Sequence, residues 1–73
     1  MSAVRKRSVS IRGHRTSFSL EQDFFDVLEA VASARGISFA ALVAEVDDAR
    51  PRDTNLSSAL RLHALRDALA RAG

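Results

Sequence analysis

His14-Arg15-Thr16-Ser17-Phe18-Ser19-Leu20, followed sixteen residues after Leu20 by Gly36-Ile37-Ser38, is the stretch whose reading decides the fold. Apolar and polar side chains alternate through its first half. Thr16, Phe18 and Leu20 share one face and Arg15, Ser17 and Ser19 the other, the period of a strand with one buried and one open side. A lone strand is not stable in water and needs a partner. Upstream, Val9-Ser10-Ile11-Arg12 alternates in the same way until Gly13 breaks it. Two partners are therefore open: Val9–Ile11 folded back as a hairpin, or the same strand of a second chain.

Downstream of Leu20 the period changes. Ser19-Leu20-Glu21-Gln22 matches a capping box, and Glu21 and Asp23 suit the positive end of a helix dipole. Phe24, Leu28 and Val31 recur at helical spacing, with Phe25, Val27 and Ala32 beside them, which predicts an amphipathic helix of about four turns. Gly36 is placed to stop it in the left-handed conformation. Ser38 is the natural cap of a second helix, carried by Phe39, Leu42, Val43 and Val46 and ended before Pro51. Asp47 and Asp48 stand at the unfavourable, negative end of that helix, with Arg50 and Arg52 as the cations at hand to offset them. A third helix follows, capped by Thr54 or Asn55. It carries one stripe of Leu56, Leu60 and Ala64 and another of Leu62, Leu65 and Leu69, an arc wide enough to pack against more than one neighbour. No internal repeat and no low-complexity segment is read in the chain.

The chain has 73 residues and no cysteine, so it is one domain at most, with no disulfide or thiolate metal site to support a small core. Oligomerisation is the remaining means of stabilising it. His14 and His63 lack ligand-like spacing, and neither a metal nor a cofactor is expected. No apolar run is long enough to span a membrane, and the basic start has no apolar segment behind it, so a soluble, cytoplasmic, nucleoid-associated protein is expected. Catalysis is not expected either. Glycines stand scattered at 13, 36 and 73 with no phosphate loop, and no Ser, His and acid set is suggested by spacing. The net charge of +2 is unevenly spread: residues 1–15 hold five of the 11 Lys and Arg and no acid, and residues 16–53 hold eight of the nine acids. A basic end joined to an acidic middle points to a polyanion as partner.

The order of strand, helix, Gly turn and Ser-initiated helix, with Leu20 and Gly36 at their spacing, resembles the ribbon-helix-helix repressors of the Arc and MetJ kind over residues 14–49. Arg7-Ser8-Val9-Ser10-Ile11 with Gly13-His14, and Asn55-Leu56-Ser57-Ser58-Ala59-Leu60-Arg61, look like a bacterial subgroup that extends the minimal fold at both ends. The resemblance implies a mainly α fold with a short β-ribbon, built as an intertwined homodimer with an extra C-terminal helix. It implies a ribbon in the major groove of double-stranded DNA, with Arg15, Ser17 and Ser19 toward the bases. It also implies a backbone phosphate held where the second helix begins, at Ser38, Phe39 and Ala40. Arg15 suits guanine O6 and N7, and serines are permissive readers. Arg5, Lys6, Arg7 and Arg12 are the expected phosphate contacts. The organisation expected is a flexible basic arm over 1–7, a core over 8–50 and a loop with a C-terminal helix over 51–73. Transcriptional repression is the function this implies. The alternative is an antitoxin-like interaction module whose C-terminal helix docks a partner protein.

Overall fold

The strand His14–Glu21 finds its partner within its own chain. In the computed structural model, which describes residues 3–72, β1 (Val4–Ile11) and β2 (His14–Glu21) form a two-stranded antiparallel sheet. The register runs from Val4 opposite Glu21 to Ile11 opposite His14. Only Arg12 and Gly13 lie between those last partners, both at positive φ (51° and 79°). That is a type I′ connection, whose twist matches that of the flanking strands. Of the two partners the sequence left open, the upstream strand is the one found within the chain, and it reaches from Val4 to Ile11.

The expected arm over 1–7 needs correction where it is described. Residues 4–7 are strand, paired with Phe18 to Glu21, while Met1 and Ser2 lie outside the described residues. The cause is Arg7. It broke the alternation on paper, yet its aliphatic stem takes an inward place in the row with Val9 and Ile11, since a long basic side chain can bury its stem and keep its head hydrated or paired. Gly73, the end of the expected third segment, also lies outside the described residues.

The helices are α1 (Gln22–Arg35), α2 (Phe39–Ala49) and α3 (Leu56–Ala72). Helix α1 starts without the expected capping box. Glu21 is its N-cap and accepts no side-chain capping bond, while the backbone N–H of Ser19 donates to Ser57 Oγ at 2.9 Å. Ser19 is still strand, two residues short of the helix, because β2 runs on to Glu21 opposite Val4. At the other end Gly36 is left-handed (φ 69°), its N–H donates to Ser33 O, and Ile37 N–H donates to Ala32 O. This Schellman closure satisfies carbonyls the helix leaves open. The chain then turns by 103° into α2. Ser38 caps α2 by accepting from Ala41 N–H at 3.0 Å, and Asn55 Oδ1 caps α3 by accepting from Ser58 N–H at 2.8 Å.

One apolar core joins the pieces. Ile11, Phe18 and Leu20 come from the hairpin, Leu28, Val31 and Ala32 from α1, Leu42, Val43 and Val46 from α2, and Leu56, Ala59, Leu60 and Ala64 from α3. Leu20, Leu28, Leu42, Val43 and Leu60 are completely buried. Each such leucine contributes roughly 1.5–3 kcal/mol of apolar transfer. Of the two stripes on α3, the first is core and the second, Leu62, Leu65 and Leu69, is exposed. The acids ending α2 are offset by Arg50, which donates to Asp47 at 2.7 Å, and by Arg12, which pairs with Asp48; Arg52 takes neither place.

Candidate nucleic-acid interface

Opposed residues of an antiparallel pair share a face, so the register sorts every hairpin side chain. Inward go Arg7 opposite Phe18, Val9 opposite Thr16, and Ile11 opposite His14 at the turn. Outward go Lys6 opposite Ser19, Ser8 opposite Ser17 and Ser10 opposite Arg15. Phe18 and Leu20 are buried while Arg15 and Ser17 are exposed, as the alternation required. The outward face has no acid between Lys6 and Ser10 or between Arg15 and Ser19. It is a field of hydroxyls with a cation near each end.

The sequence-predicted residues fall into two groups. Arg15 and Ser17 are on the open face, and Arg15 Nε donates to Ser8 Oγ at 3.1 Å across the ribbon. That bond steadies the side chain and leaves both terminal nitrogens to donate elsewhere. Ser19 is also on that face, half-buried, its amide held by Ser57. Arg5 and Lys6 are exposed on β1. Arg7 is engaged inside the fold: its guanidinium carbon lies 3.7 Å from the Phe25 ring centroid, and Nη2 donates to Gln22 Oε1 at 2.6 Å. Arg12 sits in the hairpin turn and is paired with Asp48. The hydrogen bond with Asp48 holds the Arg12 guanidinium above its ordinary pKa and the Asp48 carboxyl below its own.

The start of α2 adjoins this surface through the core. The Phe39 ring lies 4.7 Å from that of Phe25 and 6.3 Å from that of Phe18, between centroids. Ser38 Oγ takes the Ala41 N–H and Ser38 O the Leu42 N–H. The first turn therefore presents the amides of Phe39 and Ala40, at the positive end of the α2 dipole. It contains no acid.

Three features of the site were missed in the sequence. Ser8 and Ser10, with Lys6, which was expected only at a phosphate, form the second row of the open face; the signal was there in the alternation, had Arg7 been counted as an inward residue. Ser57 and Arg61 of α3 brace β2. Ser57 takes the Ser19 amide, and Arg61 Nε donates to Glu21 Oε1 at 2.8 Å, a bond that holds the Glu21 carboxyl below its usual pKa. Nothing in a single sequence marks those two as bracing residues, since their partners lie 38 and 40 positions away.

Set beside known families, the chain matches the ribbon-helix-helix domain over residues 4–68. No curated protein and no solved structure matches it.

Proposed function

Since the chain belongs to the ribbon-helix-helix domain family, whose members are generally DNA-binding transcription regulators or antitoxins, we propose that it is a sequence-selective double-stranded DNA-binding protein and a transcriptional repressor. The observation that carries this is the open face of the hairpin: without an acid between Lys6 and Ser10 or between Arg15 and Ser19, and offering Arg15 and Lys6 among serine hydroxyls, with Glu21 at its far end paired to Arg61. A two-stranded ribbon fits the major groove, and an arginine there donates twice to guanine. In this reading Arg15, Ser17 and Ser19 face bases. Arg5, Lys6 and Arg12 lie toward phosphates, with Arg12 exchanging Asp48 for a phosphate oxygen, whereas Arg7, expected there from the sequence, is held inside on Phe25 and Gln22; the amides after Ser38, at Phe39 and Ala40, hold one more phosphate. The chemistry is recognition alone, with no reaction, cofactor or metal, in a bacterial cytoplasm where the nucleoid is the target.

We also read the protein as a homodimer. Leu62, Leu65 and Leu69, exposed on α3 at 43, 49 and 63 %, support this. They follow one another at helical spacing on the side away from the core, and a contiguous apolar patch of that kind marks an interface. The same stripe is the one observation in favour of the antitoxin-like alternative, in which α3 docks a different protein.

Binding of labelled duplexes drawn from a random pool tests the reading. Retention and enrichment of particular sequences, with log affinity falling steeply against log salt, is the expected result. Absence of binding at low salt would turn the reading toward the protein-interaction alternative.

A further inference from the structure

The end of α2, the loop after it and α3 line a groove of about 320 Å³. That falls within the range of small-molecule sites, roughly 300–1,000 Å³, and is room for about ten waters. Its walls are apolar, with Val46, Ala49 and Pro51 on one side and Ala59 and Leu62 on the other. Its polar groups come from Arg50, Thr54, His63 and Arg66, and among the described residues no acid lines it. The loop over residues 50–55 holds the groove open. Arg50 Nε donates to Asp47 Oδ1 at 2.7 Å and Nη1 to the Thr54 carbonyl at 2.8 Å, while the Thr54 N–H donates to the Pro51 carbonyl at 3.1 Å. These bonds tie the loop to the end of α2. The walls are therefore set before anything binds, and binding has little further chain to order.

We propose that this groove is a binding site for a small organic carboxylate, one acid group on a compact apolar body, with Arg66 holding the acid. The site goes beyond the recognition of DNA and does not depend on it.

The charges around the groove select this ligand. Arg61 and Arg71, the other arginines of α3, are paired with Glu21 and Asp67. Arg66 is exposed and makes no hydrogen bond or ion pair among the described residues. The acids nearest to it in the fold are already committed: Asp67 to Arg71, Asp47 to Arg50 and Glu45 to Arg35. Its charge is therefore uncompensated at the rim of an apolar trough. A guanidinium matches a carboxylate with two parallel N–H donors. The His63 ring, on the same wall, can add a third. One uncommitted guanidinium suits one negative charge, and the apolar walls suit a body that water solvates poorly, which a bare polyanion lacks. The groove lies at the far end of α2 from Ser38, about 15 Å away at the helical rise. It is thus separate from the amides of Phe39 and Ala40, and it shares only Leu62 with the outer stripe of α3.

The test titrates the full chain, without DNA, with naphthoate, with naphthamide and with acetate, followed by NMR. Naphthoate should shift the resonances of Ala49, Thr54, Leu62 and His63 and raise the melting temperature as its concentration grows. Naphthamide, the same body without the charge, should bind about tenfold more weakly or worse. Acetate, the same charge without the body, should shift none of them. Arg66→Gln should lose about tenfold in naphthoate affinity while melting like the parent in the absence of ligand, because the side chain is exposed. Ala49→Leu, which adds bulk to the wall at an exposed position, should lose affinity by filling the groove. Leu65→Ala, outside the groove, should bind naphthoate as the parent does. Equal affinities for naphthoate and naphthamide would leave only an apolar patch and overturn the proposal. An unchanged affinity in Arg66→Gln, shifts centred on Leu65 and Leu69, or no shift at millimolar naphthoate would overturn it as well. No arm of the test contains DNA, so none of these results bears on the reading of the hairpin.

Discussion

The hairpin and α3 each have a buried side and an open side, and the open sides are opposites. On the hairpin, Phe18 and Leu20 go in, and Lys6, Ser8, Ser10, Arg15 and Ser17 stay out. On α3, Leu56, Leu60 and Ala64 go in, yet Leu62, Leu65 and Leu69 stay out. The stripe continues at Leu62 into a groove of about 320 Å³ lined also by Val46, Ala59, His63 and Arg66. Burial is satisfied in both elements by their inner sides, so neither outer side is explained by the stability of one chain. A polar, basic strand face in open water has a polyanion as its natural partner, and an apolar helix face has another apolar surface. On the proposed reading, recognition of DNA falls to the hairpin and assembly to α3.

The largest expected effect would break the inner side of α3 and spare the outer. Leu60→Ala empties a fully buried position and should cost about 2–5 kcal/mol, whereas Leu65→Ala should change the folding free energy of the single chain by less than about 0.5 kcal/mol. Thermal melts followed by circular dichroism, at a concentration low enough for the chain to be monomeric, measure both. Equal costs would mean that the outer stripe is already buried in the species being melted. Sedimentation at low micromolar concentration sharpens this point: the parent should run as a dimer, and Leu65→Ala should shift it toward monomer.

Next in size is Arg15→Ala, expected to cost about 1–3 kcal/mol on a preferred duplex and less on a scrambled one. An equal loss on both would leave Arg15 as a phosphate contact only. The start of α2 separates stability from binding in another way. Ser38→Ala removes the bond to Ala41 and should lower stability by about 1 kcal/mol. Ala40→Asp places a negative charge in a first turn that has none, which should leave the helix as stable or slightly more so while weakening DNA binding. Binding kept at low salt would remove the phosphate from that site.

The smallest effect concerns acid. Hydrogen bonds from Arg61, Arg35 and Arg12 hold the Glu21, Glu45 and Asp48 carboxyls below their ordinary pKa values. A carboxyl with a depressed folded-state pKa stabilises the fold above its unfolded pKa and loses that contribution as pH falls through the folded one. Stability should therefore decline on acidification through and below the ordinary carboxylate range. Glu21→Gln should flatten that decline slightly without moving the neutral-pH affinity for DNA, as followed by melts across a pH series.

What was legible in the sequence was whatever depends on neighbours in the chain. The inward set of β2, the left-handed Gly36, the Ser38 cap and the core stripes of all three helices follow from local periodicity and turn chemistry. What was not legible depends on long-range pairing. Arg7 broke an alternation that its buried stem in fact continues, so β1 read as a short strand behind an arm. Ser19 matched a capping box locally, but the pairing of β2 out to Glu21 keeps it in the strand, short of the helix start. The cation facing Asp48 is Arg12, brought by the hairpin turn from 36 positions away. Of the candidate site, the β2 row was read and the β1 row was not, for the same reason.

The central claim is that the open face of the hairpin, and not that of α3, meets DNA. Its most direct test is the change in amide and side-chain NMR resonances of the full chain on titration with a selected duplex. The account predicts changes concentrated at Lys6, Ser8, Ser10, Arg15 and Ser17 and at the amides of Phe39 and Ala40, with Leu62, Leu65 and Leu69 unmoved. Changes concentrated on the α3 leucines with the hairpin silent would contradict it.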